Sequence, residues 1–186
     1  NFTNSFSEDG TLSEQTITGP SKLGSLLASV TIKEQIDVNV KLHLSANAFA
    51  DDKNLQNVVI DGNVAEIGKN AFIRCTNLKT VNIEERDGKI DLEYIDTNAF
   101  DTCTNLETFI FNGKNDSFNL IDLAAFANCP NFSYFDLGGA KEFRWMSWET
   151  GLGKKEVQYE VLHMCDRVAR LFATFGFRTK WTRIDN

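Results

Sequence analysis

The chain is short of proline, short of histidine and free of long apolar runs, and each shortage excludes something. Pro20 and Pro130 are its two prolines, and no long polar tract accompanies them, so extensive disorder is not expected. No apolar stretch reaches the length of a membrane-crossing helix, so no transmembrane segment is expected. No two of the four cysteines (Cys75, Cys103, Cys129 and Cys165) form a CxxC pair, which leaves out zinc-ribbon and thioredoxin-type motifs. P-loop, GxGxxG, HExxH and GxSxG signatures are missing as well. The two histidines, His43 and His163, stand in no recognisable catalytic motif. His163 and Cys165 are two apart on an expected helix and so point in different directions. Glu8-Asp9 and Glu84-Glu85 lack the spacing of a calcium loop and read as solvated surface.

What is present is 186 residues of ordinary composition, 42% hydrophobic and 24% charged, enough to bury a core without disulfides or metals. The net charge of −7 is uneven: the first 140 residues carry −10, and the remainder carries +3. An acidic body argues against nucleic acid as a partner, because phosphate binding needs a concentrated basic face. The chain begins at Asn1 and not at Met, so processing or trimming is expected, with a signal or anchor segment removed.

One unit recurs. Ile67-Gly68-Lys69-Asn70-Ala71-Phe72-Ile73-Arg74-Cys75-Thr76-Asn77-Leu78-Lys79-Thr80-Val81-Asn82-Ile83 is its fullest copy. Further copies centre on Phe49, Phe100 and Phe126, and a degenerate one precedes them with Leu27, Val30 and Ile32. In every full copy the Phe lies six residues before Leu55, Leu78, Leu106 or Phe132. The closing L-x-x-V-x-I puts its last two apolar residues on one side of a strand. One such strand cannot hide its apolar face alone, but parallel strands stacked coil on coil share a continuous core. Ile67, Ile95 and Ile121 predict a second short strand per unit, and Ala-Phe-x-x-Cys predicts a short helix or turn that drops Phe inward. Cys75, Cys103 and Cys129 all fall three after the Phe, where a small thiol suits a tight inner position, so buried free thiols are expected. The Asn54, Asn77, Asn105 and Asn131 ladder is expected to satisfy backbone groups left by the turning chain.

These residues resemble the BspA-type, or Treponema-pallidum-type, leucine-rich repeats, whose pattern is Ile-Gly-x-x-Ala-Phe-x-x-Cys-x-x-Leu-x-x-Val-x-Ile. Residues 67–83 match nearly throughout, and the likeness covers about 25 to 137. The resemblance implies an α/β repeat fold, a right-handed leucine-rich-repeat solenoid with a parallel sheet of short strands. It also implies a bacterial surface or secreted protein that adheres to host proteins or neighbouring cells, not an enzyme. The family has no shared catalytic set, so no catalytic residue, metal or cofactor is expected.

Three regions follow: an N-terminal cap over 1–26, the solenoid over 27–140, and a C-terminal cap over 141–186. Pro20 is placed to start a short helix through Leu26, and alternation from Ile36 to Leu44 predicts a strand. Val157, Val161, Met164, Cys165, Val168, Leu171, Phe172 and Phe175 recur at three- and four-residue steps. They predict an amphipathic capping helix over about 155–174, ended by Gly176. A strand-like tail follows at 177–183. Helix and tail read as closing the solenoid or, alternatively, as a docking element. Trp145-Met146-Ser147-Trp148 reads as packing between solenoid and helix.

Stacked strands would set the residues between the apolar positions on one outward face. These are Asn57, Val59 and Asp61, then Thr80, Asn82 and Glu84, then Thr108, Ile110 and Asn112, then Tyr134 and Asp136, with Ser29, Thr31 and Lys33 extending it. Val59, Ile110 and Tyr134 depart from the polar residues usual on a solvated sheet, and apolar spots inside a polar rim suit protein contact. Ordinary β-propensity is the competing account of the same residues. The expected partner is therefore a protein, with a structural spacer role in a larger envelope protein as the alternative.

Overall fold

The computed structural model describes residues 2–6, 12–20, 26–33, 41–61, 64–88, 90–113, 120–121, 124–132, 134–136, 142–149 and 153–160. Thirteen strands are described. They are β1 (Phe2–Phe6), β2 (Leu12–Ile17), β3 (Ser29–Ile32), β4 (Lys41–Leu44), β5 (Asn57–Asp61), β6 (Val64–Ile67), β7 (Thr80–Glu84), β8 (Tyr94–Ile95), β9 (Thr108–Asn112), β10 (Leu120–Ile121), β11 (Tyr134–Asp136), β12 (Glu142–Glu149) and β13 (Gly153–Glu160).

Strands alternate between two sheets as the chain coils. One sheet runs β1-β2-β4-β6-β8-β10-β12-β13 and the other β11-β9-β7-β5-β3. Contacts between coils are parallel throughout, while β1–β2 and β12–β13 pair antiparallel at the two ends of the longer sheet. The L-x-x-V-x-I strands form the five-stranded sheet in exact register: Val30, Val58, Val81 and Phe109 share one rung, and Ile32, Ile60, Ile83 and Phe111 another. The expected second strand is present too, with Ile67, Ile95 and Ile121 aligned in the longer sheet.

A third side of the coil is built from turns. The Ala-Phe-x-x-Cys segment is a chain of turns and not a helix. Each unit visits the left-handed region twice, two residues before the Phe (Asn47, Asn70, Asn98, Ala124) and two after it (Asp51, Arg74, Thr102, Asn128). Asn and Asp tolerate that conformation best, which accounts for five of the eight. The turns leave alternate N–H groups pointing at the next coil: Phe49, Phe72 and Phe100 donate to the carbonyls of Ala71, Ala99 and Ala125, at 2.7 Å each. This side therefore carries its own inter-coil ladder. Gly68 is required there, since a Cβ would lie 2.4 Å from the Leu44 carbonyl oxygen.

The core is the space the three sides enclose. Phe49, Phe72, Phe100, Phe126 and Phe132 stack with centroids 4.9–5.1 Å apart and planes within 11° of parallel. Leu55, Leu78 and Leu106 are fully buried beside them. Each such side chain contributes about 1.5–3 kcal/mol by leaving water, and a coil's own burial is complete only when both neighbours are in place.

Among the four full units coil length varies on one corner only. From the longer sheet to the shorter, the turn side of each spans twelve residues: 45–56, 68–79, 96–107 and 122–133. From the shorter sheet back, it spans two residues at 62–63 but nine at 85–93 and seven at 113–119. All the variation in Phe-to-Phe spacing is absorbed there.

One expectation is corrected. Lys155–Glu160 belongs to β13, paired along its length with β12, so the capping helix does not begin near Lys155. Val157 and Val161 are four apart, a step that fits a strand's period of two as well as a helix's 3.6. Val157 and Tyr159 in fact alternate with Glu156, Gln158 and Glu160. The rest of that expected helix, 161–174, and the tail at 177–183 lie outside the described residues, as do 21–25 of the expected N-terminal helix and 36–40 of the expected strand. Trp145 and Trp148 fall within β12. No α-helix occurs among the described residues, and so none there is long and apolar enough to cross a membrane.

Candidate binding face

The inner ladders occupy the residues that look most like chemistry. Cys75, Cys103 and Cys129 are free, buried thiols. Each donates its S–H to the Phe carbonyl of the preceding coil: Cys75 to Phe49 at 3.0 Å, Cys103 to Phe72 and Cys129 to Phe100 at 3.1 Å. Burial pushes all three up from the ordinary thiol range, Cys75 to about 12. A thiol held neutral near neutrality is a poor nucleophile. Cys165 lies outside the described residues. In the first full unit Asp52 takes the cysteine position, and its Oδ1 accepts from the backbone N–H groups of Asn54 and Leu55. Two rungs of the asparagine ladder do the expected work, Asn77 and Asn131 donating to the carbonyls of Lys53 and Thr104, whereas Asn105 reaches the Asn77 side chain instead.

The outward face of the five-stranded sheet carries the sequence-predicted residues, and they fall into three rows across the strands. The first is Ser29, Asn57, Thr80, Thr108 and Tyr134; the second is Thr31, Val59, Asn82, Ile110 and Asp136; the third is Asp61, Glu84 and Asn112. Row one is a hydrogen-bonded zipper in which Thr80 Oγ1 donates to Asn57 Oδ1 at 2.9 Å and Asn57 Nδ2 to Ser29 Oγ at 3.1 Å. Row three is charged, and Asn112 Nδ2 donates to Glu84 Oε1 at 2.7 Å. Between them lies row two, where Val59, Asn82 and Ile110 are each half-buried. The sequence-predicted set is thus brought together on one surface. Of Tyr134 and Asp136 the register places the backbone, beside Thr108 and Ile110.

Sequence reasoning missed Arg86. It follows β7 on the nine-residue corner and reaches back to Asp61 of the previous coil, Nη1 to Oδ2 3.6 Å. The signal was available, because the step from Phe72 to Phe100 is five residues longer than the step before it, and repeat insertions map to loops on one side of a solenoid.

The longer sheet presents a different outer face. Its register aligns Thr16, His43, Glu66, Tyr94, Leu120 and Arg144. His43 Nδ1 lies 3.3 Å from Glu66 Oε2, and Lys41 Nζ donates to Glu93 Oε1 at 2.7 Å. Cross-strand ion pairs of this exposed kind contribute little stability. His163 lies outside the described residues. Among the described residues no group of three or more His, Cys, Asp or Glu side chains is placed to hold a metal ion.

Comparison with known proteins agrees with this architecture. The BspA type leucine rich repeat region matches residues 25–144 in six copies. A leucine rich cell surface protein of Faecalibacterium prausnitzii A2-165, whose crystal structure is known, is 18% identical with a TM-score of 0.45. The match covers 86% of this chain and 56% of that one, so this chain spans little more than half of that protein's length. The T. pallidum Leucine Rich Repeat protein is 18% identical with a TM-score of 0.42, over 96% of this chain and 95% of that one. Among curated proteins, no sequence matches significantly.

Proposed function

The chain belongs to the BspA-type leucine-rich-repeat family, and we propose that it is a non-enzymatic interaction module of a bacterial surface or secreted protein. Its outward five-stranded face would hold a host or neighbouring-cell protein. One observation carries the reading: Val59 and Ile110 sit half-buried in a single row, between a self-satisfied hydroxyl and amide row and a charged one. Two apolar side chains on either side of Asn82, within a polar rim, suit a protein contact. Asn57, Thr80, Glu84 and Asn112 around them already have partners within the protein, so a ligand covering this face would strand few polar groups there.

The experiment is a capture from extracellular-matrix and cell-surface proteins, followed by affinity measurement with the Val59→Asp/Ile110→Asp double variant. Both side chains point away from the core, so the melting temperature should hold while affinity falls at least tenfold. Unchanged affinity in a folded double variant would remove this face as the site.

A further inference from the structure

The two ends of the five-stranded sheet's apolar ladder are not alike. Leu55, Leu78, Leu106 and Phe132 hold the same rung in successive coils and are all fully buried, whereas Leu27, on that rung in the first coil, is 54% exposed. Leu26 beside it is 68% exposed. Val30 is half-buried where Val58, Val81 and Phe109 are fully buried. A groove of about 260 Å³ runs along this end, walled by the successive residues Ser29 to Lys33 of β3 and its continuation and floored by Ile17, Leu27 and Phe49. Among the described residues β3 is the terminal strand of its sheet.

The backbone is prepared for another strand. The Asn57 N–H donates to the Ala28 carbonyl, so the alternation of the ladder turns the N–H and C=O groups of Ser29 and Thr31 away from β5, toward the groove. The width is set by the other sheet. β2 and β3 belong to one coil, and β1 extends the longer sheet past β2 by a single strand, about 4.8 Å. The edge of β3 is therefore recessed by one strand behind β1. A second copy of the protein, approaching edge to edge, would meet β1 first. A lone extended segment fits the step.

We propose that this end takes one extended strand of a partner polypeptide by β-strand addition, with apolar side chains at the spacing of Leu55, Val58 and Ile60. The interface it would make is the one already seen between consecutive coils, with one side supplied from outside. This is independent of the outward face, which presents side chains where the groove presents backbone and rung positions.

The test uses the whole chain and a fluorescein-labelled synthetic peptide of residues 53–61, Lys-Asn-Leu-Gln-Asn-Val-Val-Ile-Asp, titrated by fluorescence anisotropy. Saturable binding is expected. It should weaken at least tenfold in Leu27→Asp, which changes an exposed rung, and in Thr31→Pro, which removes an outward-pointing donor that an edge strand can spare. The Val59→Asp/Ile110→Asp variant should bind the peptide as the wild type does, so failure here and failure of the outward face are told apart. Circular dichroism melts establish that each variant folds. Absence of binding to the wild type overturns the proposal, and so does equal binding by Leu27→Asp and Thr31→Pro. Self-association of the chain abolished by Thr31→Pro would also overturn it, by identifying a second copy as the occupant.

Discussion

The two sheets are made by the same coils and finished differently. The longer one ends on each side in an antiparallel pair, β1 on β2 and β13 on β12, while the shorter ends on the parallel-paired β3 and β11 among the described residues. At the first coil the difference is plain in burial: Ile17 of the longer sheet is 4% exposed, and Leu27, leading into the shorter one, is 54% exposed. An open strand edge invites pairing and is ordinarily blocked or covered. At the first coil the edge of β3 lies one strand behind that of β1, so a strand added to β3 would lie alongside the longer sheet's extra strand.

The comparison is broken most severely through the core that both sheets share. Phe72 is stacked on Phe49 and Phe100, and Phe72→Ala should cost about 3–5 kcal/mol. Hydrogen exchange should then rise together in β5 and β7 of one sheet and in β6 of the other. Exchange confined to one sheet would show that the two are not one cooperative body. The buried thiols act next. Their folded values lie above the ordinary thiol value, so their contribution is complete below it and is lost as pH rises through the raised value. Between pH 9 and 12 the stability attributable to Cys75 should fall, by on the order of 1 kcal/mol per pH unit. Urea midpoints of the wild type and Cys75→Ala across that range check it, and parallel slopes would sink it. The smallest effect is on the turn side that joins the sheets. Thr102 is β-branched with φ 61°, a conformation costing roughly 1–2 kcal/mol. Thr102→Asn should raise the melting temperature by a few degrees, and a lowered one would mean its hydroxyl bond to Asp101 matters more than the backbone strain.

Much of this was legible in the sequence because a repeat prints each structural demand several times. The Phe, Cys and Leu ladders, the second strand at Ile67, Ile95 and Ile121, and the outward rows all follow from position within the unit. The turn side was legible only in part, since Asn47, Asn70 and Asn98 announce left-handed residues but Arg74 and Thr102 do not. The end of the repeat was read less well. Over Lys155–Glu160 there is no second copy to separate a four-residue step on a helix from the same step on a strand. The exposure of Leu27 could not be read at all, because the residue matches its rung and, among the described residues, only the strand order at β3 sets it apart.

The corner that absorbs every change of coil length has a consequence for what the protein tolerates. Twelve residues cross the turn side in each of the four full units, yet the opposite corner holds two in one coil and nine in the next with no loss of register in the five-stranded sheet. Lengthening a loop that far costs only about 1–2 kcal/mol of closure entropy. The molecule is in effect a ruler with one elastic margin. Foreign sequence written into that margin, at the exposed Asp87-Gly88 turn, would hang beside the outward face without disturbing a single graduation of the ruler.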